Sequence, residues 1–454
     1  MIKNLTKGNP AKVIFLFSLP IILGNVFQQI YSIVDSVIVG RFVCYQALAG
    51  VGITGGLTFF VFGFVIGITS GLGIKTAQFF GAKDFENMRR SLGTGIVISI
   101  VSSCIITFLA LITIHPMLRL MDASPDIYEY SYIYLKITYI GIISQFAYNL
   151  VACILRALGD SKTPLYFLIF SSVLNIILDI LFVKTFGFGV AGAAWATVIA
   201  QIISAICCFI YVFKRYPELH LAKSDFNTNW KFVWEHLKIG LPMALQFSIT
   251  SIGVILLYAA LNNFPTTYIA GYTTANKIQS LGMLVPISLG VGVANYVGQN
   301  YGARNFVRMR IGVNSAVIMT LCFCLVISSL MAFFADALTS LFIDDKVVAN
   351  ISEIYTASRW YIYISALFFP FLFVLFVYRN ALQGVGKTFL PLMAGVLELV
   401  IRAVASVILP PMFGYNGILL VDVLAWVGAC TLLTIGYIVQ MPKKADFYKV
   451  RSKH

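Results

Sequence analysis

Residues 71–90 read GLGIKTAQFFGAKDFENMRR, and residues 292–311 read GVANYVGQNYGARNFVRMRI. At a shift of 221 positions Gly71 falls on Gly292, Gln78 on Gln299, Gly81-Ala82 on Gly302-Ala303, Phe85 on Phe306 and Met88-Arg89 on Met309-Arg310. Ala49-Gly50 meets Ala270-Gly271 in the same register, and at a shift of 222 Leu19-Pro20 falls on Leu241-Pro242. At a shift of 225 Gly159-Asp160-Ser161-Lys162-Thr163 falls on Gly384-Val385-Gly386-Lys387-Thr388, and Gly189 with Gly192 on Gly414 with Gly417. A shared bias in composition would not keep loop motifs in register across three separate segments. The chain therefore reads as a duplication.

Around these motifs the sequence is overwhelmingly apolar. With 59% hydrophobic and 11% charged residues in 454, there is too little polar surface to cover a soluble globule, so lipid must solvate much of the chain. Runs of about 20 apolar residues, long enough to cross a bilayer as a helix, recur throughout. They predict twelve spans: 13–39, 48–74, 92–114, 130–155, 163–187, 190–213, 233–261, 268–298, 311–334, 354–378, 388–412 and 415–440. The predicted fold is an all-α integral membrane protein of two six-helix bundles. Each half has an even number of spans, so the repeats are parallel, related by a pseudo-twofold axis along the membrane normal. The expected organisation is an N-terminal lobe (1–213), a polar linker (214–232), a C-terminal lobe (233–440) and a tail (441–454).

The net charge of +14 suggests nucleic acid until the basic residues are placed. Lys3, Lys7, Lys12, Arg89, Arg90, Lys214, Arg215 and the tail residues Lys443, Lys444, Lys449, Arg451 and Lys453 all fall on one side of the predicted membrane. Asp122, Asp126, Glu129, Asp336, Asp344, Asp345 and Glu353 fall on the other. This is the positive-inside pattern of a plasma-membrane protein with both termini cytoplasmic, and it leaves no role for nucleic acid. The first apolar run is too long for a signal peptide and is expected to remain as span 1. The eight cysteines lie almost entirely in apolar spans and read as small hydrophobes. The four histidines sit in loops, near span ends or at the terminus, which argues against an intramembrane metal or haem site.

The paired motifs Gly81-Ala82-Lys83 and Gly302-Ala303-Arg304, the prolines in spans 1 and 7 and the twelve-span plan resemble the multidrug and toxic compound extrusion (MATE) family over nearly the whole chain. The loop from Gly81 to Arg90 lacks the Arg-x-Gly-Arg pattern of the major facilitator superfamily. The resemblance implies a secondary transporter without cofactor, exporting bulky, amphipathic, often cationic drug-like compounds against an inward flow of protons or sodium. It also implies a monomer in the bilayer.

Ionisable residues inside spans are costly and are functional candidates by default. Asp35 lies in span 1 and Asp179 in span 5, with Asn175 one turn earlier on the same face and Thr197 of span 6 at similar depth. Four oxygen-bearing side chains at one level suit a hard cation or a proton on a carboxylate. The alternatives are hydrogen-bonded glue between spans, or an Asp35–Lys136 ion pair, with Arg41 the other nearby base. The quartet resembles the cation site of the DinF-type branch of the family. In the second half Lys277, Glu398, Arg402 and Asp422 sum to zero charge and read as a structural network, a conformational latch or a substrate site. Span 7 offers Gln246, Ser248 and Thr250, and span 10 no acid, which departs from the NorM-type pattern of acids in those spans. Pro20 is a candidate hinge, and Tyr31, Tyr134, Tyr139 and Gln246 are candidate substrate contacts. The rival readings are a flippase for lipid-linked oligosaccharide or a related lipid, and a membrane-embedded enzyme. The sparse buried charge disfavours the first, and no close catalytic constellation supports the second.

Overall fold

The structure is a computed structural model that describes residues 4–121, 123–227, 229–343 and 351–442. Lys3, Asp122, Asp344, Asp345 and the basic tail from Lys443 onward, including His454, lie outside the described residues. Every regular element among the described residues is helical. Eleven helices are long and apolar enough to cross a membrane, and a bent pair adds a twelfth when counted as one span. They are α1 Pro10–Phe42, α2 Tyr45–Ala82, α3 Phe85–Leu120, α4 (Pro125–Ile140 and Ile142–Ala157), α5 Lys162–Thr185, α6 Gly189–Arg215, α7 Trp230–Leu261, α8 Thr266–Gly302, α9 Phe306–Phe333, α10 Ile351–Gly384, α11 Phe389–Phe413 and α12 Tyr415–Gln440. Each predicted span is therefore found, most of them longer than the hydropathy alone indicates. The 48° bend in α4 falls at Gly141, where a Cβ would collide with the Val198 side chain of α6. The missing side chain lets the two helices close there.

The chain forms two compact units. One comprises the described parts of Met1–Thr6, Leu16–Ser248 and Gly298–Arg304, the other those of Lys7–Phe15, Ile249–Val297 and Asn305–His454. The first is packed around Leu72, Leu92, Phe146, Leu150 and Leu155, the second around Tyr272, Phe369, Phe373, Ile418 and Trp426. Large apolar side chains such as Phe108, Leu325, Leu367 and Val407 stay exposed, a surface suited to lipid tails.

The duplicated motif is visible in the backbone. Lys83 and Arg304, 221 positions apart, both adopt the left-handed conformation, with φ of 59° and 55°. The next residues, Asp84 and Asn305, each cap the following helix, accepting from the Asn87 and Arg308 amides at 3.1 and 3.3 Å. Within the first unit the repeated glycines meet reciprocally. A Cβ on Gly81 would fall on the Gln299 carbonyl oxygen, and one on Gly302 on that of Gln78. Only glycine allows these helix ends to approach so closely. Gly81→Ala is expected to lower the melting temperature of the detergent-purified protein, with an overpacking cost of about 1–3 kcal/mol; an unchanged melt would remove this contact from the account.

The second loop motif corrects the predicted register. Gly159 and Gly386, 227 positions apart rather than 225, both close their helices with positive φ (84° and 87°). Both donate to the carbonyl three residues earlier, Gly159 to Arg156 at 2.9 Å and Gly386 to Gln383 at 2.7 Å. Asp160 is thus matched by Lys387. Asp160 accepts from the Thr163 hydroxyl at 2.6 Å and from Tyr216 at 2.5 Å. Burial pushes its carboxyl up, but these bonds outweigh burial and hold it below the usual carboxylate range. Lys387 donates to the Gln440 carbonyl at 2.7 Å. Each half ties this loop to the end of its sixth helix, by a carboxylate in one and an ammonium in the other.

Candidate functional site

In the first half α1 supplies Asp35, α5 supplies Asn175 and Asp179, and α6 supplies Thr197. Asp179 is fully buried, Asn175 2% and Asp35 8% exposed. Asn175 donates to the Thr197 hydroxyl at 3.2 Å. No hydrogen bond reaches either oxygen of Asp179, Oδ1 of Asp35 or Oδ1 of Asn175 from an amide, hydroxyl or cation. The two carboxyls lie within electrostatic range of each other. Buried polar atoms are normally satisfied, so four such oxygens without a donor on neighbouring side chains make this quartet the candidate site of the first half. The donor set is oxygen only, which suits a proton or a hard monovalent cation. Among the described residues no cluster of three or more His, Cys, Asp or Glu is placed to hold a metal.

The basic residues near the quartet stay apart from it. Lys136 is exposed and lies 5.7 Å from the Tyr132 ring centre, with no ion pair to Asp35, and Arg41 is exposed at the end of α1. The Asp35–Lys136 alternative is not formed. Tyr31 and Tyr134 are half-buried within electrostatic range of both carboxyls. Tyr139 belongs instead to the apolar core of the first unit, 3% exposed. Gln246 is buried on α7, and Pro20 is buried within the unbroken helix α1.

Immediately after Asp179, α5 changes winding: Ile180–Thr185 is π-helical. The register of the two halves also shifts across this stretch. Gly159 lies opposite Gly386 and Pro164 opposite Pro391 at a shift of 227, whereas Gly189 lies opposite Gly414 at 225, both with positive φ (58° and 57°). The stretch between these glycines is thus two residues longer in the first half, but the fifth helices themselves are nearly equal, 24 residues in α5 and 25 in α11, so the surplus lies in the connection at 186–188.

The second half holds a different arrangement. Arg402 donates through Nε to Asp422 at 2.8 Å and its Nη1 lies 3.5 Å from Glu398. Glu398 is also bonded to Arg379 of α10. Tyr272 donates to the other Asp422 oxygen at 3.4 Å. Arg379 takes the place predicted for Lys277, which is exposed on α8 and joins none of these ion pairs. The predicted end of span 10, at 378, stopped one residue short of Arg379; the helix runs on to Gly384. The network still sums to zero charge, as buried charge must if it is not to cost several kcal/mol.

The MatE family model matches residues 20–181 and 242–408. Among curated relatives, the probable multidrug resistance protein YpnP of Bacillus subtilis is 28% identical over 84% of each chain. The probable multidrug resistance protein NorM of Thermotoga maritima is 26% identical over 84% of this chain and 81% of its own. Among solved structures, a MOP superfamily transporter from Pyrococcus furiosus superposes with a TM-score of 0.88 at 23% identity, over 96% of this chain and 97% of its own. An outward-facing multidrug resistance MATE transporter gives 0.87 at 24% identity over the same shares. With both halves of the duplication covered by one family model, this chain belongs to the MatE family and is a membrane transporter rather than an enzyme.

Proposed function

We propose that the chain is a multidrug efflux antiporter of the DinF-type branch, exporting small amphipathic and often cationic compounds against protons or sodium. Asp35, Asn175, Asp179 and Thr197 form the coupling site. The reading rests above all on the four buried oxygens of this quartet that no protein donor satisfies. The names of the curated relatives support the substrate class. A cation entering the site favours one access state and substrate the other, so that lobes 1–213 and 233–440 alternate across the linker 214–232. The charge pattern of the loops supports placement in the plasma membrane with both termini cytoplasmic, and the family resemblance supports a monomer.

The test is dye or drug efflux from vesicles bearing an imposed proton or sodium gradient. Asp35→Asn is expected to slow gradient-driven efflux between about 5- and 150-fold, the range of a coupling free energy. Efflux at the parental rate would sink the proposed site.

A further inference from the structure

The two register anchors place Asn175 opposite Arg402 and Thr197 opposite Asp422, because the first pair lies 227 positions apart, like Gly159 and Gly386, and the second 225, like Gly189 and Gly414. The hydrogen bonds agree. In the first half the Asn175 side chain donates to Thr197, and in the second the Arg402 side chain donates to Asp422 from the same pair of helices. One position differs by a charge on each partner. Where the first half leaves oxygens of Asp35, Asn175 and Asp179 without a donor, the second half places a guanidinium among carboxylates.

From this we infer that Arg402 is a tethered cation, standing in the second half where the first half takes a mobile one. Charge supports it. Arg379 and Arg402 balance Glu398 and Asp422, so removing the Arg402 charge leaves a deficit of one, the charge of a single proton or sodium ion. Space supports it too. Gly253 of α7 lies opposite Tyr31 of α1 at the shift of 222 that pairs Pro20 with Pro242, and a Cβ there would come within 3.2 Å of Arg402 Nη1. The guanidinium thus reaches toward α7 as the first-half site reaches toward α1. Nη1, buried and 3.5 Å from Glu398, has no hydrogen-bond partner, which fits a group held there by charge rather than by shape. The tether leaves the second half unable to exchange its cation, so one half of the duplicated fold couples and the other does not. A second cation site is therefore latent beneath Arg402.

The inference rests on the cation reading of the first half, and the test separates the two. The measurement is the melting temperature of detergent-purified protein in sodium against choline chloride, and across pH at fixed ionic strength. Asp35→Asn/Asp179→Asn should remove the parental cation response; if that response persists, the first-half reading fails. Adding Arg402→Gln to that background should create a cation response of roughly 3 °C or more, whereas Arg402→Lys, which keeps the charge, should not. Asn175→Arg in the parent should fill the first-half site, raise the melting temperature without added cation and abolish the cation response. A cooperative melt of Arg402→Gln with no new response overturns the tether, as does an Asn175→Arg protein that still responds. Should Arg402→Gln not fold, the Asn175→Arg result decides alone.

Discussion

Asp179→Asn is expected to melt at a higher temperature than the parent while losing gradient-driven efflux. The two effects have one cause. The side chain is fully buried and neither oxygen receives a hydrogen bond from a protein donor, so whenever it is ionised it carries a desolvation cost that nothing in the chain offsets. An amide of the same shape removes the charge and supplies a donor to Asp35. The gain expected is the penalty of an unsatisfied buried group, about 1–3 kcal/mol. Under the proposed coupling role transport is lost because the amide can neither hold nor release a proton, nor offer a charge to sodium, so the ion no longer distinguishes the access states. The measurement pairs a thermal melt with vesicle efflux on the same preparation. A protein that melts lower and still transports would mean that Asp179 is structural glue. Stability gained where function is lost is the usual mark of a strained functional site.

The twelve spans were legible in the sequence because apolar runs of membrane length have no other use, and the duplication because its motifs sit in loops where repetition is not forced by lipid. What stayed hidden were the matters of one or two residues. Gly384 and Lys387 echo Gly159 and Lys162 in letters, but the helix-closing conformation belongs to Gly386. Only the backbone reveals that register and, with it, the extra length of the connection at 186–188 that follows α5. The quartet itself was legible, since polar atoms at equal depth are rare in such a sequence. Lys277 was misplaced for the opposite reason. Depth along a helix can be counted from sequence, but the direction a side chain faces cannot, and a stripe of apolar residues with a low net moment gives no face to infer it from. Arg379 lay just past a predicted span end, where hydropathy falls gradually and the helix does not.

That missed arginine gives the largest stability effect expected in the molecule. Glu398 is bonded to Arg379 and lies 3.5 Å from Arg402, both buried. Glu398→Gln leaves the two guanidinium groups facing only Asp422, a net buried charge of one. Removing one partner of a buried ion network typically costs about 3–5 kcal/mol, enough in a chain of 454 residues to lower the melting temperature by roughly 3–5 °C. The same chemical change, acid to amide, is thus expected to stabilise the first half at Asp179 and to destabilise the second at Glu398, because one carboxyl has no compensating cation and the other has two. Balance rather than bond count is the decisive quantity. Adding Arg379→Met to Glu398→Gln restores neutrality and should recover most of the loss, although it removes another hydrogen-bonding group. If the double variant melts no higher than Glu398→Gln alone, the network is held by its individual hydrogen bonds, and charge balance is not what keeps these four ionised groups together in the second half.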